Sequence, residues 1–215
     1  MKVTLVNYTR NGVKMIADAV KVTGPFFDRM DDAALVRYMV KHDFSSVLEH
    51  VYFTFELKDI SIAISRELLE HRIASHTARS TRYSDEGEAM FYYPEFKDEE
   101  AKKLYADTLQ YVQEQYLKLR DKCGYETARY VLPLATHCTY VWTINARSLF
   151  NFLRLRLCKN AAPEMQELAR NVRNLVVKVY PEIFEGIDCR GSQYGVCPEP
   201  RARSCGKYPT RSKSK

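Results

Sequence analysis

The chain has 215 residues, of which 46% are hydrophobic and 12% aromatic, and this content excludes a wholly disordered protein. The sequence has no apolar stretch of about 18 residues without charges and no apolar signal-peptide core at its N-terminus, so we expect no membrane span and a cytoplasmic location. A net charge of +6 suggests an anionic partner, either nucleic acid or a phosphorylated small molecule.

The first half of the chain is predicted to hold two strands and two helices. Residues 1–8 alternate in polarity and are rich in β-branched side chains, which is typical of a strand. Asp31 and Asp32 can cap a helix over residues 33–41. Hydrophobic residues alternate with polar ones over residues 50–57, which indicates a half-buried strand, and a helix over about 61–72 should follow.

The second half adds two longer helices and one strand. Apolar residues recur at spacings of four and three over residues 99–120, which predicts an amphipathic helix. Residues 136–145 are rich in strand-forming side chains, and a second amphipathic helix covers about 165–179 and ends near Pro181. Because strands and helices are mixed without a regular alternation, the sequence favours an α+β fold with an antiparallel sheet.

Composition divides the chain near Gly186, into a domain over residues 1–185 and a tail over 186–215. The tail holds seven basic and two acidic residues, so it carries five of the six net positive charges. It also holds four of the eight glycines, three of the eight prolines and three of the six cysteines. The domain itself is close to neutral, so the bulk charge alone is weak support for nucleic-acid binding.

Two clusters could carry chemistry. No Gly-rich phosphate loop is present in the sequence, so side chains would have to hold any nucleotide. Residues 70–86 are rich in Arg, Ser and Thr, as in a phosphate-binding segment, although a solvated basic loop fits equally well. In residues 142–158, Arg147, Asn151 and Arg154 fall on one face of a predicted helix, either as a wall for an anionic ligand or as a structural ion-pair network.

The first cluster carries a family resemblance. His71, Arg72 and Ser80 form the pattern HR-x7-S, followed by Arg82 and Tyr83, and this resembles the signature of the flavin-dependent thymidylate synthases (the ThyX family). Three more segments resemble the family in the same order: SSVLEHVYFTFELKD, ARYVLPL and NARSLFNFLRLR. The resemblance covers about the first 185 residues.

This resemblance implies a fold, an assembly and a reaction. The family fold is α+β, an antiparallel sheet flanked by helices, and it assembles as a homotetramer. The family binds FAD and converts dUMP to dTMP by reductive methylation, with methylenetetrahydrofolate as the one-carbon donor and NADPH as the reductant. Such an enzyme would bind a pyrimidine nucleotide rather than nucleic acid.

The resemblance also implies residue roles. The positions that correspond to the family's FAD contacts are Ser46, Glu49, His71, Arg72, Asn145, Arg147 and Asn151. Those that correspond to its nucleotide contacts are Ser80, Arg82, Arg129 and Arg156, and Arg79 is added because it could restore lost positive charge. Arg156 would be the catalytic residue, since it would orient and polarise the uracil ring.

Four positions depart from the family pattern: Phe44, Glu67, Glu70 and Ala78. The two carboxylates would repel a phosphate unless Arg66, Arg79 or Arg82 pairs with them. Three functions therefore stay open. They are synthesis of dTMP, C5-methylation or hydroxymethylation of another pyrimidine nucleotide such as UMP, and a degenerate paralogue that binds flavin or nucleic acid.

The cysteines suggest a metal site. Cys189, Cys197 and Cys205 are spaced eight residues apart, and Cys158 follows the predicted ligand-binding helix. Together they could form a Cys₄ zinc or iron–sulfur site, although the spacing is looser than in zinc ribbons. The alternative is that they are exposed, free thiols in a flexible tail.

Overall fold

The computed structural model describes residues 1–211. Its strands are β1 Lys2–Tyr8, β2 Tyr52–Ser61, β3 Ala74–Ala78 and β4 His137–Asn145. Its α-helices are α1 Gly12–Lys21, α2 Asp32–Lys41, α3 Ile62–Leu69, α4 Glu99–Cys123, α5 Tyr125–Ala128, α6 Ala146–Arg156, α7 Pro163–Val179, α8 Pro181–Phe184 and α9 Arg190–Tyr194. Over these 211 residues, no helix has both the length and the apolar composition that crossing a bilayer requires.

The four strands form one open antiparallel sheet in the order β1-β2-β4-β3. The predicted α+β class is therefore confirmed. Alternation along β2 works as the sequence indicates, because Phe53, Phe55 and Leu57 are fully buried while Tyr52 is about half exposed. The two long strands β2 and β4 occupy the centre of the sheet, and the short polar strand β3 lies at its edge.

Most predicted elements are confirmed, but the region after β2 differs. The Asp31 carboxylate accepts a hydrogen bond from the Ala34 amide at 3.0 Å, as expected of the cap of α2. Helix α3 begins after Ser61, and it ends at Leu69 rather than near residue 72. His71 and Arg72 consequently lie beyond the helix.

The described residues divide into two compact units. The first unit comprises Met1–Lys2, Glu56–Glu70 and His76–Trp142. The second unit comprises Val3–Phe55, His71–Ser75 and residues 143–211. The tail residues 186–211 therefore cluster with much of the preceding chain, in a division that differs from the segments 1–185 and 186–215.

An aromatic cluster forms the core of the second unit. The ring of Phe53 contacts the rings of Tyr180 and Phe184 edge to face, at centroid distances of 6.0 and 5.6 Å. The Tyr180 hydroxyl accepts a hydrogen bond from the Gly12 amide at 2.8 Å. A Cβ atom at Gly12 would lie 2.7 Å from the Tyr180 ring, so this approach of α1 requires glycine.

The tail is folded against the end of α6 over its described residues. The Asn160 side-chain amide donates to the Arg203 carbonyl at 2.9 Å, and the Cys197 amide donates to the Pro209 carbonyl at 2.7 Å. Lys207 pairs with Asp188. Residues 212–215 of the predicted tail lie outside the described residues.

Candidate active site

Helix α6 carries most residues of the second predicted cluster, and Asn145 lies directly before its first residue. Asn145 ends β4 and is only 3% exposed, and its Oδ1 atom accepts a hydrogen bond from the Ser148 amide at 2.8 Å. This is an N-cap, which satisfies a backbone donor that the helix leaves unpaired. The cap engages the amide oxygen of Asn145, so a ligand contact of this side chain would come from its Nδ2 atom.

Glu49 and Arg147 form an ion pair, although 98 residues separate them in sequence. Glu49 lies in a 3₁₀ turn over Ser45–His50, and Arg147 lies in the first turn of α6. The Ala146 amide donates to the Val51 carbonyl at 2.7 Å and anchors the helix start beside that turn. Both side chains of the ion pair are about half exposed, so a ligand can reach them.

His71 and Arg156 are joined by a hydrogen bond. The Arg156 Nε atom donates to the His71 Nε2 atom at 3.2 Å, and the His71 ring meets Phe152 edge to face at 4.9 Å. This acceptor role places the imidazole proton of neutral His71 on Nδ1. The structure thus links the signature segment to the last turn of α6.

Asn151 contacts a residue that the sequence did not indicate. The Arg190 guanidinium donates to the Asn151 Oδ1 atom at 3.3 Å, from the first turn of α9. Arg190 lies in the tail, a segment that the sequence does not place at the predicted site. A basic residue directly after a cysteine gave no separate signal in the sequence.

Arg154, on the same face of α6, has a structural role. Its side chain is 13% exposed, its guanidinium lies 3.9 Å above the Phe150 ring, and the Asp43 carboxylate is 4.0 Å away. Burial lowers the pKa of Arg154 to about 10. These contacts favour a structural role for Arg154 over direct contact with a ligand. Two residues predicted to bind FAD, Ser46 and Arg72, are by contrast exposed on the second unit.

In the first unit, Arg79 is paired with a buried carboxylate. Its amide donates to the Thr139 carbonyl at 2.9 Å, and its Nε atom donates to Glu86 at 3.0 Å. Glu86 is 5% exposed, and burial raises the pKa of its carboxyl group above the usual range. Sequence reasoning missed Glu86, because a single Glu in a polar segment reads as a surface residue.

Ser80 and Arg82 lie in a tight turn after β3. The Ser80 hydroxyl accepts from the Arg82 amide at 3.3 Å, and the Arg82 guanidinium pairs with Glu126 in α5 at 2.7 Å. The guanidinium also lies 5.3 Å from the centre of the Tyr83 ring. These contacts hold Arg82 in place, and it remains about half exposed.

Arg129 carries a polar atom that lacks a partner. Its Nε atom is buried and has no hydrogen-bond partner among residues 1–211, while its Nη2 atom donates to the Tyr130 hydroxyl at 3.4 Å. An unpaired buried donor is costly. A ligand acceptor such as a phosphate oxygen would satisfy it.

Neither Arg79 nor Arg82 neutralises the negative charge of Glu70. Glu70 is exposed after the end of α3, and within residues 1–211 neither Arg79 nor Arg82 pairs with it, since they pair with Glu86 and Glu126. Of the three arginines that could offset the carboxylates Glu67 and Glu70, Arg79 and Arg82 therefore have other partners than Glu70. Because Glu70 is exposed, solvent screens its charge instead.

The four cysteines of the predicted metal site line one cavity in the second unit. Cys197 is buried and Cys158 and Cys189 are half-buried, so the expectation of exposed thiols holds only for Cys205. Over the described part of the chain, no group of three or more His, Cys, Asp or Glu side chains is arranged as a set of metal ligands.

The residues present fit a flavin cofactor and a nucleotide. In the second unit, the exposed guanidinium groups of Arg72 and Arg147 can meet phosphate oxygens, and Asn145 offers an amide for a ring or ribityl chain. In the first unit, Ser80, Arg82 and the unpaired Nε atom of Arg129 supply donors for a nucleotide phosphate.

Comparison with known proteins identifies the family and the fold. The family model described as thymidylate synthase complementing protein matches residues 4–182. The chain is 36% identical to the flavin-dependent thymidylate synthase of Sulfurisphaera tokodaii, over 86% of this chain and 76% of that one. It is 31% identical to the enzyme of that name from Clostridium tetani, over 96% and 94% of the two chains. The crystal structure of Helicobacter pylori ThyX with FAD and dUMP superposes with a TM-score of 0.73 at 27% identity, over 87% of this chain and all of that one.

Proposed function

The chain belongs to the thymidylate synthase complementing protein family, the flavin-dependent thymidylate synthases, and we propose that it converts dUMP to dTMP. The one-carbon unit comes from methylenetetrahydrofolate and the reducing equivalents from NADPH. The net reaction replaces the hydrogen on C5 of the uracil ring with a methyl group and releases that hydrogen as a proton.

The observation that carries the proposal is the hydrogen bond between His71 and Arg156. It joins the signature segment to the segment NARSLFNFLRLR, through two residues that lie 85 positions apart in sequence. A guanidinium held by an imidazole has a fixed direction, and preorganised donors of this kind stabilise charge that develops in a transition state. Arg156 would then orient the uracil ring and draw electron density from it.

FAD would be held by side chains of the second unit. Seven residues form the proposed set: Ser46, Glu49, His71, Arg72, Asn145, Arg147 and Asn151. Glu49 orients Arg147 through their ion pair, and Arg190 orients the Asn151 amide. Bound FAD supplies hydride chemistry that no side chain can provide.

In the first unit, the nucleotide would be held by Arg79, Ser80, Arg82 and Arg129. Glu126 fixes the Arg82 guanidinium, which is suited to a phosphate because its planar fork can bind two oxygens. The buried Nε atom of Arg129 supports the same role, since a ligand oxygen would pair it. The Arg79 guanidinium is paired with Glu86. Arg79 would therefore support nucleotide binding indirectly, by holding the turn in which Ser80 lies.

Assembly and location complete the proposal. The family resemblance implies a homotetramer, in which each active site would draw on more than one chain. A cytoplasmic location fits an enzyme that uses nucleotide and folate substrates.

A second candidate is C5-methylation or hydroxymethylation of another pyrimidine nucleotide, such as UMP. The departures at Glu70 and Ala78 support it, because Glu70 is paired with neither Arg79 nor Arg82. A ribose 2′-hydroxyl group would be the feature that such a site accepts.

The test is product formation by the FAD-loaded protein. We expect dTMP to form from dUMP only when methylenetetrahydrofolate and NADPH are both present, and the purified protein to be yellow. A colourless protein that cannot be reconstituted with FAD would overturn the first and the second candidate together.

A further inference from the structure

Four cysteines meet at one cavity of about 440 Å³ in the second unit. Cys158 follows the end of α6, and Cys189 precedes α9. The backbone of Cys197 forms an isolated β-bridge with that of Thr210, and Cys205 lies in the segment after residues 201–203. All cysteines of this unit therefore line the same space, while Cys123 and Cys138 belong to the other unit.

The charge around the cavity favours a centre with negative charge. Two acidic side chains line it, Asp188 and Glu199. Six basic side chains line it as well: Arg154, Lys159, Arg170, Arg190, Arg203 and Lys207. Four thiolates around a divalent ion carry a net charge of about −2, which these basic side chains would offset.

Hydrogen bonds and an ion pair hold the described tail, which buries few residues of its own. Its only α-helix within residues 186–211 is the five-residue α9, and Ile187, Gly191 and Cys197 are its buried residues. Small segments without a core of their own are commonly stabilised by a metal or by disulfides. All six cysteines are free thiols in this structure, which leaves them available as ligands.

We infer that Cys158, Cys189, Cys197 and Cys205 bind one zinc ion, which pins the tail to the end of α6. The thiols are not yet arranged as a ligand set, so binding requires them to move inward. The cavity leaves space for this closure, and Cys205 lies outside the helices and strands. Each thiol gives up its proton to solvent as its sulfur bonds to the ion.

The proposed zinc ion would take no part in the flavin chemistry. Its function would be structural, because four protein ligands leave no open position for a substrate. Arg190 lines the cavity and also contacts Asn151, so an ordered tail would position that side chain. Loss of zinc should thus loosen the tail, whether or not the protein makes dTMP.

The test begins with the purified full-length chain, stripped of metal under reducing conditions and titrated with Co²⁺ alone. We expect one cobalt ion per chain, with the thiolate charge-transfer and tetrahedral d–d absorption of a Cys₄ site. X-ray absorption of the zinc form should show four sulfur neighbours at about 2.3 Å. Chelation should make the tail sensitive to trypsin, and zinc should restore its protection.

Matched variants assign the ligands. Cys197→Ser should weaken cobalt binding by about a hundredfold or more, whereas Cys123→Ser, outside the cavity, should leave it unchanged. Because Cys197 is buried, Cys205→Ser at an exposed position provides the same test if the first variant misfolds. Substoichiometric binding, binding that survives both ligand variants, or a purified protein that contains iron and sulfide would overturn the inference.

Discussion

The Nε atom of Arg156 donates a hydrogen bond to the Nε2 atom of His71 at 3.2 Å. One residue comes from the signature segment and the other from the last turn of α6, so a single contact joins two motifs. The His71 ring is in turn held edge to face against Phe152. The direction of the guanidinium that we assign to the uracil ring is therefore set by packing as well as by hydrogen bonding.

Removal of the imidazole should impair turnover more than binding. In His71→Ala, Arg156 loses an acceptor, and a hydrogen bond from a charged donor is worth about 1.5–3 kcal/mol. We expect kcat for dTMP formation to fall about 10- to 100-fold, with a smaller change in KM for dUMP. The matched control is His42→Ala, an exposed position on which we expect no effect; an unchanged kcat in His71→Ala would contradict the role.

The ion pair between Glu49 and Arg147 should matter for FAD rather than for stability. Both side chains are about half exposed, and exposed pairs contribute about 0–1 kcal/mol to the free energy of unfolding. Arg147→Ala should weaken FAD binding by about tenfold or more, as followed by flavin fluorescence. Lys14→Ala, which breaks another exposed pair, should leave FAD binding unchanged.

Two variants of Asn145 distinguish its role as the N-cap of α6 from its proposed contact with FAD. Asn145→Ser keeps a side-chain oxygen for the Ser148 amide but removes the amide donor, whereas Asn145→Ala removes both. We expect Asn145→Ala to lose about 1 kcal/mol of unfolding free energy and Asn145→Ser to lose less. FAD affinity should fall in both variants, and normal FAD affinity in Asn145→Ser would argue against an amide contact.

Burial of Glu86 predicts a pH dependence of stability. Because the pKa of this carboxyl group is raised in the folded state, the folded protein binds more protons than the unfolded chain just above the usual Glu range. Its contribution to the free energy of unfolding is therefore largest at acid pH and declines as pH rises through the folded pKa. A tenfold change in the ionisation constant corresponds to about 1.4 kcal/mol.

Urea unfolding of the wild type and Glu86→Gln at pH 4 and pH 7 measures this term. The amide retains an acceptor for Arg79, so the wild type should lose stability relative to the variant on going from pH 4 to pH 7. A wild type that gains stability relative to Glu86→Gln over that interval would contradict the assignment.

Glu70→Arg examines the departure from the family signature. Glu70 is exposed, so solvent already screens its charge from a bound phosphate. We expect dUMP turnover to stay the same or to decrease when Arg replaces it. A gain of about tenfold or more would mean that the native site has lost part of its nucleotide function.

The elements with strong patterns could be predicted from the sequence, and those with weak patterns could not. Strand β2 shows strict alternation, and α7 shows a long apolar stripe, so both were identified near their true bounds. Strand β3 reads ASHTA, a short and mostly polar sequence at the sheet edge, where no buried face imposes alternation. Helix α1 was not predicted. It follows Asn11, which has a φ of 55°, and its ten residues are too few for a clear periodic pattern of apolar side chains.

The residues of the proposed site come from the family resemblance, whereas their contacts with one another could not be predicted from the sequence. The motifs point to Glu49, His71, Arg147 and Arg156, because a motif is defined by residue types and their order, and the sequence contains both. Which of them touch depends on contacts over 85 and 98 residues, which no local spacing encodes. Arg190 was missed for the same reason, since only the folded tail carries it to Asn151.

The most direct test follows deuterium from C5-labelled dUMP, with labelled UMP and dCMP in parallel, using FAD-loaded protein, methylenetetrahydrofolate and NADPH. The account predicts release of deuterium to water from dUMP, in step with dTMP formation, and much slower release from UMP and dCMP. Release from UMP that exceeds release from dUMP, or no release from any of the three by protein that holds FAD, would contradict it.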